Sequence, residues 1–297
     1  MTRITGQSQS LAMRADLSQV GSRLATIQRQ VASGRQIERV SDSPSVGLEA
    51  LRYRRSLRTY EQYDRNLSDA KNWLGAADTA LEAVDSRINR AQDLTIQADN
   101  GSLSATARVA IATELRSIAD ELVGVANTHH LGRPIFAGTA GGARAYDSNG
   151  SFLGDTNVVN RTVAGGATTQ VNAVGPDVFG VENPGDPANG NIIELIRSVA
   201  DDVAAGTLVA PALDSIDAAR TRVHTSQATL GARLSSLEQL EVRNGSVTGQ
   251  LKSALSEAED VDFTNAILDL KAQETAYTAA LSVSGRILSQ SLLDFLR

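Results

Sequence analysis

No cysteine occurs in this chain. That excludes a disulfide framework, an iron–sulfur cluster, a thiolate zinc site and a cysteine nucleophile. Aromatic residues make up only 4%, with a single tryptophan, so a core must come from Leu, Val, Ile and Ala. Lysine is nearly missing, with three among 28 basic residues. The formal net charge of -6 disfavours a nucleic-acid binder that works by neutralising phosphates. No run of 18 apolar residues exists to span a membrane. The opening MTRITGQSQSLAMRADLS lacks an apolar leader, so export by a cleaved secretory signal is not expected.

What the chain does have is heptad periodicity. Met13, Leu17, Val20, Leu24, Ile27 and Val31 step 4, 3, 4, 3, 4, an amphipathic stripe ending before Gly34, a residue suited to a helix C-cap. Ser43-Pro44 then reads as an N-cap followed by proline in the first turn. From there a helix of about 55 residues is expected to reach Ala98. Tyr60, Leu67, Leu74, Leu81, Ile88 and Thr95 recur every seven residues, beside Ala70, Ala77, Val84, Ala91 and Ala98. Asn100-Gly101-Ser102 stops it, and the spacing predicts a returning helix over 104–130, with Ile111, Leu115, Ile118, Leu122, Val125 and His129 on its stripe.

The texture changes between Pro134 and Gly190, which hold 11 of the 24 glycines and four of the six prolines. Phe152-Leu153, 158–163 and 168–174 read as strands, with Asn149-Gly150 as a hairpin turn. Helical signal returns over 192–205 and 212–258, where Ile216, Val223, Leu230 and Leu237 keep the seven-residue period. Past Asn244 the pattern shifts to Val247, Leu251 and Leu255. After the acidic stretch 257–262, a last helix carries Phe263, Ile267, Leu270, Glu274, Tyr277, Leu281, Ser284 and Leu288 at steps of 4 and 3, extended by Leu292 and Phe295.

The fold class is therefore mostly α: long antiparallel coiled-coil helices from both chain ends, with a small inserted β-rich domain. Three parts are expected: a terminal coiled coil (1–40 plus 261–297), a helical bundle (41–133 plus 191–260) and a β-rich insertion (134–190). The end helices carry stripes with almost no third layer to cover them, and an amphipathic helix needs a partner for stability. Their residues are the candidate assembly interface: Met13, Leu17, Val20, Leu24, Ile27, Val31, Phe263, Ile267, Leu270, Tyr277, Leu281, Leu288, Leu292 and Phe295. Ala280 and Ser284 suit close helix packing.

Nothing comparable points to catalysis or to a cofactor. His129 and His130 are adjacent, so on a helix they diverge and cannot share a metal. His224 stands alone and shows no triad signature. Arg52, Arg54, Arg55 and Arg58 have Glu49, Glu61 and Asp64 at helical spacing, which reads as a salt-bridged face or a subunit contact. The carboxylate pairs, such as Asp201-Asp202, read as solvated helix ends. Neither GxxxxGK[ST] nor GxGxxG occurs. No catalytic residue, metal, cofactor, small-molecule substrate, nucleic acid or membrane insertion is expected.

Several segments resemble the flagellin superfamily. They are the opening Arg3-Ile4-Thr5, ASGRQIERVSDSPSVGLEAL (Ala32 to Leu51), IFAGT (Ile135 to Thr139) after a helix end containing Asn127, Gly154-Asp155 and VNAVGPDVFG (Val171 to Gly180). The most specific is VDFTNAILDLKAQETAYTAALSVSGRILSQSLLDFL (Val261 to Leu296). Ser43 stands where the family usually has a second Asp, a change that still allows capping. The closing SLLDFL and the IFAGT segment are similar to the junction branch of that superfamily rather than to filament subunits.

The resemblance implies a non-enzymatic part of the bacterial flagellum, placed at the hook–filament junction and exported by the flagellar type III apparatus without a cleaved signal. It implies as partners a second hook-associated junction protein (FlgK), flagellin, further copies of the chain in a ring, and an export chaperone for the C-terminal helix. A filament flagellin is the alternative of the same fold. A coiled-coil signalling hairpin does not account for the 134–190 insertion, and an enzyme on the β-rich part lacks a convergent polar set.

Overall fold

A computed structural model describes residues 6–37, 39, 41–99, 103–182 and 190–295, with the side chains of 6–10 and 287–295 left out. In chain order the elements are α1 (Gly6–Ser33), α2 (Pro44–Ala98), α3 (Ala105–Ala126), β1 (His129–His130), β2 (Arg133–Pro134), β3 (Asn160–Ala164), β4 (Ala167–Gln170), α4 (Gly175–Phe179), α5 (Ile192–Ala205), α6 (Ala210–Glu259) and α7 (Phe263–Phe295). They group into two compact units, a central one (Tyr60–Ser246) and a terminal one (Met1–Thr59 with Val247–Arg297).

The central unit holds the hydrophobic core, which among the described residues runs from Leu67 to Leu237. The seven-residue rows of α2 supply it: Leu67, Leu74, Leu81 and Ile88 are buried, as are Ala70, Ala77, Val84 and Ala91. A 3.5-residue apolar repeat keeps one helical seam on its partner, and these alanines let that partner approach. α3 returns antiparallel, since Arg87 pairs with Glu121 and Arg90 with Glu114 across the hairpin. Ser104 caps α3 through the Ala107 amide, 3.2 Å away. On α6, Ile216, Val223, Leu230 and Leu237 are buried as expected. The next heptad position is Asn244, also buried, whose Nδ2 donates to the Val163 carbonyl of β3 at 3.1 Å.

Two expectations are corrected. First, α3 stops at Ala126, so His129 and His130 lie on β1 rather than on a helix end. Asn127 is the reason: its Nδ2 takes the carbonyls of Val123 and Tyr146, and its Oδ1 takes the amides of Ala145 and Tyr146. That side chain competes with the next helical turn for its backbone partners. Second, the insertion has less strand than its composition implied. Among its described residues the β3–β4 hairpin is the one full ladder beyond β2, and Phe152 makes a single bridge to Tyr146 and Val181 one to Gly190. Beyond Gln170 the buried Asn172 replaces ladder bonding, accepting from the Val159 amide at 2.8 Å and donating to the Asn157 carbonyl at 3.0 Å.

The segments quoted for the resemblance lock into one another here. Gly138 sits at φ +68°, and a Cβ there would lie 2.2 Å from Asp155. The Asp155 carboxylate accepts from the Thr139 amide and hydroxyl, both at 2.8 Å, and from the Asn157 amide at 2.9 Å. The Gly175 amide donates to the Phe136 carbonyl at 3.1 Å. Phe136, Tyr146 and Phe179 form a buried aromatic cluster with ring centroids 5.1–5.3 Å apart. These motifs position the insertion.

Candidate assembly surface

In the terminal unit the chain is pinned where α1 ends and α7 begins. Gly34 adopts φ +72° and closes α1, its amide donating to the Gln30 carbonyl at 2.9 Å. The Gln36 amide then donates to the Glu259 carbonyl at 2.7 Å, and the Val261 amide to the Gly34 carbonyl at 3.0 Å. Asp262 starts α7 by accepting from the Thr264 and Asn265 amides at 2.9 and 3.2 Å. α2 starts at Pro44, and the Gly47 amide donates to the Ser43 carbonyl at 2.8 Å.

From this clasp α1 and α7 run antiparallel: Phe263 lies beside Gly34, and Tyr277 beside Gly21. A Cβ on Gly21 would stand 3.5 Å from the Tyr277 ring, an ordinary van der Waals contact that places the ring against α1.

Burial divides the predicted stripe residues into two sets. Met13, Leu17, Val20, Leu24, Ile27 and Val31 all face one way and are half-buried; none reaches full burial. On α7 the covered seam is Ala266, Leu270, Gln273, Tyr277, Ala280 and Ser284, at steps of 4 and 3. It is small and polar for a seam. The larger apolar side chains on its flank stay in solvent: Phe263 is 52% exposed, Ile267 49% and Leu281 44%. The apolar stripe of α7 is therefore wider than one partner helix can cover, and α1 takes only half of it. Leu288, Leu292 and Phe295 lie where side chains fall outside the described residues.

The contrast with the central unit is energetic. Apolar burial supplies about 25 cal/mol per Å². Among described residues of the terminal unit, the only buried apolar side chains are Ala50, Leu57 and Ala266, so α1 and α7 have little of that stabilisation. A helix pair of this length with wet apolar flanks fits a subunit that completes its packing on other subunits.

The remaining candidates resolve into structural roles. His129 bonds the Ala143 carbonyl at 2.9 Å, and His130 stacks edge-on against Trp73 at 5.4 Å. His224 lies 3.5 Å from Asp85 and 3.2 Å from Gln227. Among the described residues no three His, Asp or Glu side chains are grouped to hold a metal ion. A groove of about 310 Å³ in the central unit is lined by Asp177, Arg222 and Arg233 among others. Its arginines are engaged by the backbone: Arg222 donates to the Gly190 carbonyl at 2.8 Å and Arg233 to the Asn172 carbonyl at 3.3 Å. Of the two readings of the arginine cluster on α2, a salt-bridged face or a subunit contact, the first finds little support in ion pairing among the described residues. Arg54 alone forms an ion pair, and with Glu259 of α6 at 2.6 Å rather than with a carboxylate of its own helix. Arg54 falls beside the buried Ala50 and Leu57 on the helix circumference and so meets α6, whereas Arg52, Arg55 and Arg58 lie exposed on the opposite side of α2.

Residues 4–140 match the family model for the bacterial flagellin N-terminal helical region. The chain is 26% identical to Flagellar hook-associated protein 3 of Escherichia coli over 273 residues, covering 84% of this chain and 86% of that protein. It is also 26% identical to a flagellin of Bacillus subtilis, over a shorter span that covers 78% of this chain and 79% of the flagellin. The crystal structure of Bacillus cereus FlgL shares the fold, with a TM-score of 0.58 at 21% identity, covering 69% of this chain and 99% of that one.

Proposed function

We propose that this chain is a non-catalytic structural part of the bacterial flagellum, the adaptor that joins the hook side to the flagellin filament. One observation carries the reading: the core is complete in the central unit, while the terminal helices keep a wide apolar flank that their own pairing does not cover. The homologues named hook-associated protein 3 support a junction role, and filament flagellin is the more distant match. The assembly surface is made by Met13, Leu17, Val20, Leu24, Ile27 and Val31 with Phe263, Ile267, Leu270, Tyr277, Leu281, Leu288, Leu292 and Phe295.

The partners that suit this role are a second hook-associated protein (FlgK), flagellin and further copies of the chain in a ring. An export chaperone would cover the C-terminal helix before assembly, and export would proceed without a cleaved signal. The terminal coiled coil (1–40 plus 261–297) would serve as the inner joint, the insertion (134–190) as the outer domain, and the helical bundle (41–133 plus 191–260) as the third part.

Deletion of the gene with immunogold labelling of the wild type tests this. The expected result is hooks without filaments, flagellin shed into the medium, and label confined to a band at the hook's distal end. Label along the whole filament would show a flagellin instead, and no label on the flagellum would overturn both.

A further inference from the structure

On α2, Leu48, Leu51, Arg52, Arg55 and Arg58 fall within one third of the helix circumference, and all five are exposed. The opposite side is the covered one, with Ala50 and Leu57 buried and Arg54 turned to Glu259. No ion pair engages Arg52, Arg55 or Arg58 among the described residues, and Arg58 makes only a long bond to the Arg54 carbonyl, 3.4 Å. Exposed leucines beside unpaired arginines have the composition of an interface core with its charged edge, since Arg is enriched at contacts and Lys depleted.

The same unit carries the complementary surface. Where α6 passes into α7, Glu257, Asp260, Asp262 and Asp269 are exposed, and Leu268 among them is 64% exposed. Asp262 caps α7 and Asp260 accepts the Ser256 hydroxyl, so both side chains are held in place while their charge remains available. Because α6 packs on the far side of α2, through Arg54 and Glu259, the basic face cannot fold back onto this acidic turn of its own chain.

We propose that the α2 arginine face of one molecule docks on the acidic α6–α7 turn of a second copy. This rests on the reading of the chain as an assembling subunit and names the contact between neighbours. Two different patches meet, so the contact is head-to-tail and propagates around a ring or helix instead of closing as a two-fold dimer. Four carboxylates facing three guanidiniums set the register, and the leucines supply the area that water leaves.

The absence of cysteine gives the test a clean background. Full-length protein carrying Arg55→Cys is mixed with full-length protein carrying Asp269→Cys and oxidised. The expected product is a disulfide-linked heterodimer, with neither variant alone forming a disulfide-linked dimer. Adding Arg52→Glu and Arg58→Glu to the first protein should lower the yield at least tenfold, and Glu257→Lys with Asp260→Lys in the second should restore it. No heterodimer, a homodimer of the Arg55→Cys protein, or a yield indifferent to charge reversal would overturn the proposal. Immunogold labelling separates this from the junction reading: a labelled junction without heterodimer removes only the face pairing, and a charge-dependent heterodimer from a protein absent from flagella removes only the placement.

Discussion

At the scale of single residues, Asp155 shows how a turn is held by charge. The bonds from Thr139, then those from Asn157, keep its carboxyl below the usual carboxylate range. A lowered folded-state pKa stabilises the protein above the unfolded pKa, and that contribution disappears as the pH falls through the folded value. Asp155→Ala should therefore lower the melting temperature near neutrality, and the gap from wild type should close in acid, which melting curves across pH will measure. Tyr146 gives the opposite lesson. Its hydroxyl is buried without a hydrogen-bond partner among the described residues, and burial pushes the phenol well above its ordinary pKa. An unsatisfied buried hydroxyl costs about 1–3 kcal/mol. Tyr146→Phe keeps the ring in the cluster with Phe152 and Phe179 and removes the orphan, so it should leave stability unchanged or raise it in chemical denaturation.

At the scale of elements, two leucines in similar heptads should behave oppositely. Leu81 on α2 is fully buried, and Leu81→Ala should cost about 2–5 kcal/mol because it leaves a cavity that the rigid rows around it cannot close. Leu281 on α7 is 44% exposed, and Leu281→Asp should change the stability of the isolated molecule far less than Leu81→Ala, by about 0.5 kcal/mol. The same change places a carboxylate in the proposed subunit interface, so it should abolish incorporation into flagella. Denaturant titration checks both stabilities and a motility assay checks the second consequence; a motile Leu281→Asp strain would remove α7 from the interface.

At the scale of the whole molecule, stabilisation is unevenly shared between the two units. Local opening is cheapest where few apolar side chains are buried. In dilute solution a protease should cut α1 and α7 first and leave a resistant product spanning most of residues 60–246, while incorporation into a polymer should protect both helices. Mass spectrometry of timed digests will show the order, and helices as resistant as the central unit would count against an assembly-dependent role.

The helices were legible in the residues alone. Gly34, Ser43-Pro44 and the heptad rows located α1, α2, α6 and α7 because caps, proline geometry and a repeating apolar seam act within a few turns of chain. Periodicity also identified the fully buried rows of α2 and α6. Tertiary structure decided what local patterns leave open. Asn127 cut α3 short by bonding to Tyr146, 19 positions along the chain. Asn172 and Asn244 went inside because distant backbone groups needed partners there. An apolar stripe states that a helix face wants cover without stating how much of it a given neighbour supplies. Only the packing of α1 on α7 revealed that Leu270 and Tyr277 are shared within the chain while Phe263, Ile267 and Leu281 are left for something else, since coverage depends on the width and register of the partner surface.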